Sequence, residues 1–231
     1  MIEILNAQTP DGHRVRHFVE SPESKVIDAT DLMLFPAVID PQARIPHDER
    51  EARSFILGGV TTLMGPPSLK MTVKNLPIRF FPYPNDLIIQ SGEASLREAI
   101  ERAARREIPL YVQRVRSSQT LELIRRAKRE GHLVFAEAAL EDLMAEFSQS
   151  LWEAVGDETI DTVGTGGSRT LNSLLNAYRQ GKITLEAIVS VTHTRPQEIF
   201  ELPPIEDVVL VGPKGAKYTI AQGKLFSHEE P

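Results

Sequence analysis

The chain has 231 residues, of which 41% are hydrophobic and 25% charged, with a formal net charge of −6 and no cysteine. That length can bury a substantial core, as one domain or one plus a small appendage, and the composition is ordinary for a soluble globular protein. Absence of cysteine excludes disulfides, thiolate nucleophiles and Cys-ligated zinc; the acidic balance argues against nucleic acid as a partner; and no run of about eighteen apolar residues offers a membrane span. Met1-Ile2-Glu3 does not read as a signal peptide, so a cytoplasmic location is expected.

In chain order, short strands are expected at 2–5, 15–19 and 25–28, separated by Thr9-Pro10-Asp11-Gly12 and Ser21-Pro22-Glu23. Pro-Asp-Gly makes a turn because proline presets the first angle and glycine accepts a positive φ. Apolar residues from Leu32 to Ile39 then run into Asp40-Pro41, a strand that stops at a turn. A charged helix follows, stopped by Gly58-Gly59, and a second strand, 60–64, leads into Gly65-Pro66-Pro67. This is a βαβ unit, which requires a parallel sheet with its working loops at the strand ends.

Strands are expected at 78–81 and 87–90 with no helical pattern between them. Helical periodicity returns at Ser95-Leu96-Arg97-Glu98, a capping box, and Pro109 ends that helix. A second βαβ unit joins a strand at 110–115, a helix at 118–130 capped by Gly131, and a strand at 133–136. A helix at 140–153 leads to a buried strand at 159–163, and a helix at 171–180 closes at Gly181. Thr184 caps the segment 185–191, and Pro196 stands where a first-turn proline belongs. Strands at 207–211 and 217–221 flank the turn Pro213-Lys214-Gly215. Trp152 and the pair Phe80-Phe81 read as core or interface.

Charge is uneven. From Leu96 to Glu130 there are ten Lys or Arg against five Asp or Glu, a local +5 that leaves −11 elsewhere. It reads either as a docking face for an acidic partner or as solvated helix faces.

The stretch from Pro36 to Ser68 resembles the first barrel strand and following unit of dihydroorotases and related cyclic amidohydrolases, of the amidohydrolase superfamily. There one expects Pro-Gly-(Phe/Leu)-Ile-Asp-Xaa-His-Xaa-His, an acidic helix, then Gly-Gly-Val-Thr-Thr and a Pro-Asn pair. Pro36, Ile39, Asp40, Gly58, Gly59, Val60, Thr61, Thr62 and Pro67 keep the scaffold part of that pattern, whereas the two metal-binding histidines fall on Gln42 and Arg44. The strand at 110–118 is similar to the family's His-Val-Ser-Thr strand, with Arg114 at the histidine. The segment 134–143 resembles Thr-Ala-Glu-Val-Thr-Pro-His-His-Leu, with Glu141 and Asp142 at the paired histidines. The approach 151–167 resembles that to Thr-Asp-His, with Gly166 at the aspartate and Gly167 at the histidine. Gln90-Ser91-Gly92-Glu93 is similar to His-Xaa-Glu-Asp without its histidine, and the substrate-holding Arg and Asn fall on Pro46 and Ser68. The bridging carboxylate or carbamylated lysine falls in a deleted region.

The resemblance implies an α/β fold: a reduced or incomplete (β/α) TIM-like barrel over 34–204, beside a small β-sandwich from 1–33 and 205–231. A full barrel needs about 250 residues before any side domain, so this one is shortened. Opening a dihydropyrimidine ring at neutral pH requires metal ions that lower the pKa of bound water from about 15.7 to about 7. Gln42 is a poor neutral ligand, Arg44 and Arg114 repel a divalent ion, and Gly166 supplies neither ligand nor base. No catalytic residue, metal or cofactor is therefore expected.

Three functional readings follow. The first is a catalytically inactive dihydroorotase-like protein with a structural or regulatory role in an oligomer or hetero-complex. The resemblance implies aspartate carbamoyltransferase as its partner, in pyrimidine biosynthesis. The second is a divergent amidohydrolase acting on a cyclic amide C–N bond through a rebuilt site, for which Asp40, His47 and Glu141 are candidates. The third is a small-anion binding module using Arg44, Arg114 and Arg116. The segment Gly164-Thr165-Gly166-Gly167-Ser168 reads as a phosphate cradle for that module or as a flexible relic of the Thr-Asp-His loop. Of six histidines (His13, His17, His47, His132, His193 and His228), His13 and His17 are four apart in a turn-and-strand region and do not converge.

Overall fold

The computed structural model describes residues 1–227 except Ala43, Thr72 and Phe147; His228 and the rest of the C-terminal end lie outside the described residues. Four strands open the chain: β1 (Ile2–Gln8), β2 (Arg14–Val19), β3 (Lys25–Asp28) and β4 (Met33–Pro36). In β1 the buried positions are Ile2 and Ile4, then Ala7 rather than Asn6. The phase changes because Asn6 takes a φ of +62° and the register against β2 slips between Ile4 and Ala7, which is a β-bulge.

Next come β5 (Val38–Asp40), α1 (Glu49–Leu57), β6 (Val60–Gly65), β7 (Arg79–Pro82), β8 (Ile88–Ser91), α2 (Leu96–Arg106), β9 (Leu110–Gln113), α3 (Ser118–Arg129) and β10 (Val134–Ala139). Then follow α4 (Leu140–Leu143), α5 (Gln149–Gly156), β11 (Thr162–Gly164), α6 (Thr170–Arg179), α7 (Leu185–Val189), α8 (Arg195–Ile199), β12 (Val208–Gly212), β13 (Gly215–Ala221) and β14 (Lys224–Ser227).

The two chain ends share one mixed seven-stranded sheet in the order β14-β13-β12-β4-β1-β2, with β3 beside β1. Its joint is the antiparallel pair β4–β12, where Leu34 faces Leu210. Alternation explains why β12 is buried throughout: Val208 and Leu210 pack into a small core with Ile2, Ile4 and Ile27, whereas Val209 and Val211 face the main core with Phe35. The sequence reading missed β14. Its hairpin from β13 is a two-residue turn, Gln222 and Gly223, both at positive φ, a conformation that glycine accepts and glutamine does not advertise.

Seven sheet strands were expected between residues 34 and 163, and seven parallel strands are found, in two ladders: β5-β6-β7 and β11-β10-β9-β8. The break falls between β7 and β8, which only residues 83–87 connect. Neighbouring parallel strands need a crossover of about a dozen residues, and this link is too short to make one. The two ladders nevertheless curl around one interior. Ile39, Met64, Phe81, Ile89, Tyr111 and Phe135, one residue from each of β5 to β10, share an apolar cluster with Ile199, Phe200, Leu202 and Ile205 from the end of α8 and beyond. Phe200 lies 5.7 Å from the ring of Tyr83 and 4.9 Å, edge-on, from that of Tyr111. The opposite faces of β5, β6, β9, β10 and β11 pack on the helices, so these strands are buried on both faces and read as largely apolar runs, whereas β7 and β8 are only partly buried.

Two helix expectations are corrected. Ser95 takes a φ of +55° and its side chain caps nothing, because Gln90 Nε2 donates to Ala94 O at 2.8 Å and pulls the loop away from capping geometry. The helix expected at 140–153 is two: Ala145 N turns back to Asp142 O, and the chain restarts after Ser148, whose carbonyl accepts from Leu151 and Trp152. Pro196 stands in the first turn of α8, as expected, although the helical backbone before it is continuous. Helical backbone runs from Leu185 to Ile199, widened by a π-turn over Ser190–Thr194 in which Arg195 N reaches Ser190 O; that turn accommodates the ring and the lost N–H of the proline. Thr184 does cap its helix, accepting Ala187 N at 3.1 Å.

Because Phe200 closes the interior shared by both ladders, Phe200→Ala is expected to cost about 3–5 kcal/mol. Phe18→Ala, at a half-exposed ring on β2, should stay within about 0.5 kcal/mol. Urea midpoints at constant m-value check both.

Candidate functional site

The C-terminal ends of the parallel strands carry the polar side chains. Asp40 ends β5 and is 2% exposed. Its Oδ1 accepts Gln42 N at 3.2 Å and Thr165 N at 3.0 Å, and its Oδ2 accepts Gly167 N at 3.3 Å. The carboxylate of the first parallel strand thus binds the backbone that follows the last one. Burial raises its pKa, and the three N–H groups only partly offset that.

Behind it lies Glu137 on β10, 0% exposed. Tyr111 Oη donates to Glu137 Oε2 at 2.9 Å and lies 2.7 Å from Thr162 Oγ1, while Glu137 Oε1 has no partner among the described residues. Burial, with the nearby Asp40 charge, pushes the Glu137 carboxyl up to about 8, against the Tyr111 hydrogen bond and the Arg114 charge. It therefore holds its proton at neutral pH. Beside this pair, Tyr83 Oη donates to Pro41 O and accepts from Gln113 Nε2, both at 2.9 Å, and Ser91 Oγ donates to Gln113 Oε1 at 2.9 Å. The Tyr83–Gln113 bond spans the break between the two ladders.

Around the rim, each arginine meets an acid. Arg44 pairs with Glu51, whose Oε2 also accepts His47 N at 2.6 Å. Arg114, in a left-handed conformation at φ +57°, pairs with Glu141, and Arg116 Nε lies 2.9 Å from Asp142 Oδ2. Glu93 Oε1 accepts the backbone N–H of Arg116 and of Ser117, at 2.8 and 2.7 Å.

The 164–168 loop is closely packed where the sequence suggested a flexible relic. A Cβ at Gly166 would overlap Thr170 Oγ1 and lie 2.7 Å from Leu140 Cδ2; at Gly164 it would lie 3.1 Å from Glu137 Cδ; and Gly167, at φ +52°, presses on the Phe55 ring. The amides at Thr165 and Gly167 do bind an anion, but it is the chain's own Asp40.

The positions singled out from the sequence therefore sort as follows. Gln42, Arg114, Glu141, Asp142 and Gly166 gather at the strand ends, with Arg44 and Arg116 at the rim. Asp40, His47 and Glu141 do not assemble: Asp40 is held by amides, His47 is exposed and Glu141 pairs with Arg114. Among the described residues no three His, Asp or Glu side chains are placed to hold a metal ion. His193 sits at the other end of β5, its Nδ1 2.7 Å from Ala37 O. A metal centre of the kind the resemblance implies does not fit this donor set. One position is an amide, two are guanidinium groups already paired, and at Gly166 there is no room for a side chain.

Sequence reasoning gave no role to Glu137, Tyr111, Tyr83 or Gln113. Two signals pointed to them: Tyr111 and Gln113 share one face of β9, and Glu137 is the single charged residue in an otherwise apolar β10.

No family model matches the sequence, and no curated protein sequence is significantly similar to it. Solved structures do share the fold. A D-hydantoinase (dihydropyrimidinase) from Thermus sp. superposes with a TM-score of 0.77 at 13% identity, covering 97% of this chain and 95% of that one. An L-hydantoinase (dihydropyrimidinase) from Arthrobacter aurescens gives 0.76 at 15% identity, covering 100% and 96%. The inactive dihydroorotase-like domain of the Chaetomium thermophilum CAD-like multifunctional protein gives 0.66 at 13% identity, covering 87% and 97%. The chain is thus an α/β protein with mixed sheets, similar in fold to cyclic amidohydrolases.

Two outcomes are expected. Glu137 carries a raised folded-state pKa, so its contribution to stability is complete below about pH 4.5 and is lost as pH rises through about 8. Stability should fall across that window by up to about 1.4 kcal/mol per pH unit for one proton, and Glu137→Gln should flatten the profile, as read by urea denaturation at pH 5 and pH 8.5. Gly166→Asp, which restores the carboxylate of the resembling family, should destabilise the fold by about 1–3 kcal/mol through overpacking and should not create a metal site, as read by melting temperature and zinc titration.

Proposed function

We propose that this chain is a dihydroorotase-like protein of the amidohydrolase fold that performs no ring hydrolysis and acts as a structural or regulatory subunit. The observation that carries this reading is that the ionised side chains at the strand ends are engaged within the chain rather than open to a metal. Its cationic positions are paired within the chain, its one strand-end carboxylate at β5 binds backbone amides, and its last loop has no space for a ligand side chain. Water activation by metal needs open, anionic or imidazole donors converging on one point, and those positions hold other groups. The fold shared with an inactive dihydroorotase-like domain supports the same direction.

The partner implied by the sequence resemblance, aspartate carbamoyltransferase, is proposed with it, in a cytoplasmic hetero-complex. The chain would supply a rigid α/β body, with the basic segment 96–130 available to an acidic surface. Arg97, Arg102 and Arg106 on α2 carry no ion pair among those identified, while Arg105 reaches only Glu101 at 3.8 Å.

A second reading, a rebuilt amidohydrolase site, draws on one observation: Glu137 is a carboxylic acid still protonated near neutral pH, the state a general acid needs. Against it, the group is sealed from solvent. The two readings separate in one set of measurements. Protein purified without chelator is expected to carry far less than one zinc per chain and to leave dihydroorotate and hydantoin unhydrolysed. Mixed with aspartate carbamoyltransferase from the same source, it should elute as a single larger species in size-exclusion chromatography with light scattering. Stoichiometric metal with ring opening would overturn the non-catalytic reading, and separate elution at micromolar concentrations would remove the partner.

A further inference from the structure

A cavity of about 690 Å³ lies where Pro36 leads into β5, at the opposite end of that strand from Asp40. It opens in the seam between the terminal sheet and the helical backbone from Leu185 to Ile199. Phe18 of β2, Leu34 and Pro36 of β4 and Val208 of β12 border it from the sheet, with Val189 of α7 and Ile205. Leu34, Ile205 and Val208 form a nearly buried floor, whereas the Phe18 ring at the edge is 50% exposed. Small-molecule sites have volumes of about 300–1,000 Å³ and gather at boundaries between packed units. The helical side of the seam is the π-turn, whose Ser190 and Thr194 border the cavity, and widened turns of this kind recur at functional sites.

The charges on its border are of one sign. Asp11, Glu186, Glu206 and Asp207 reach it, no lysine or arginine does, and the His17 imidazole is the one basic group there. Asp207 is engaged within the chain, by Arg79 and by Gln222 N at 2.8 Å. Glu186 and Glu206 are exposed and have no ion pair among the described residues. Asp11 meets the Thr9 hydroxyl and, at 3.9 Å, His13. Arg16, whose guanidinium lies 4.9 Å from the centre of the Phe18 ring, does not border the cavity and pairs with Glu3. Exposed carboxylates contribute little individually, so the apolar walls supply most of the affinity and the acids decide which sign of charge is accepted. An anion would meet three unbalanced carboxylates, whereas a cation with a hydrocarbon body suits both walls and rim.

We propose that this seam binds a small organic cation, an amine whose apolar body lies against Phe18, Leu34 and Val208 and whose ammonium group faces Glu186 and Glu206. The site goes beyond the non-catalytic reading and is separate from the strand ends. A metal bound at those ends would remove that reading and leave the seam untouched.

The test uses the full chain, labelled with ¹⁵N, and three probes of similar shape and different charge: phenethylammonium, phenethyl alcohol and phenylacetate. The ammonium probe should shift the backbone amides of Phe18, Ser190 and Val208 saturably. Phenethyl alcohol should bind about fivefold more weakly, and phenylacetate should not saturate. Changing Glu186→Gln together with Glu206→Gln, both at exposed positions, should bring the ammonium probe down to the affinity of the alcohol. Phe18→Ala should weaken both of these probes about tenfold while the chain stays folded. Equal binding of all three probes, preference for phenylacetate, no saturable shift at the seam, or unchanged affinity in the folded variants would overturn the proposal. So would a concentration-dependent dimer seen by light scattering and broken by Phe18→Ala, because a second copy of the chain would then fill the seam.

Discussion

The carboxylate of Asp40 is buried at the end of the first parallel strand, and what it holds is backbone: the N–H groups of Thr165 and Gly167, just beyond the last parallel strand. No ladder of backbone bonds joins those two strands among the described residues, so this one side chain supplies the polar link between them. A charge placed so deep is tolerated only when hydrogen bonds surround it, and three do. Much of the surrounding structure follows. A second carboxylate, Glu137, has its pKa raised chiefly by its own burial, and the Asp40 charge nearby adds to that. The loop that wraps the carboxylate must come close, so Gly164, Gly166 and Gly167 bear no side chains and Thr165 is driven to a φ of +63°. In the resembling family this loop brings an aspartate to a metal; here it brings amides to an aspartate.

The same economy shapes the rest of the curl. With five residues between β7 and β8 the sheet cannot continue, and two devices hold the halves together. Tyr83 and Gln113 hydrogen-bond across the break, and the end of α8 inserts Ile199 and Phe200 into the interior. Apolar filling from a helix end does here what a further strand would do in a longer chain. The terminal sheet completes the enclosure, because β4 pairs with β12 and one residue later the chain becomes β5.

Similarity of fold to hydantoinases says how the strand ends are arranged and nothing about what they do. Chemistry is decided by the groups presented there. This chain presents paired ions at the rim and a hydrogen-bonded buried acid behind them.

Much of the architecture was legible in the amino-acid order. Alternation and β-branched runs located all seven parallel strands, Gly58-Gly59 and Gly131 marked helix ends, and Pro10-Asp11-Gly12 marked a turn, because each of these signals acts over a few neighbouring residues. That Gln, Arg, Arg and Gly stand at 42, 44, 114 and 166 was equally visible. What local signals could not carry was the pairing of distant groups. Ser95 had the right residues for a cap and lost it to a loop pulled by Gln90; the helix expected at 140–153 is broken in two. The meeting of Asp40 with residues 165 and 167, of Arg114 with Glu141, and of Tyr111 with Glu137 depends on strand order and curl, which chain closure decides. The sequence by itself determined most of the elements and which residue types stand at 42, 44, 114 and 166, since these rest on residue identity and short-range geometry; the tertiary structure alone decided what each of those groups meets, since a buried charge takes whichever partner the packed chain brings within hydrogen-bond reach.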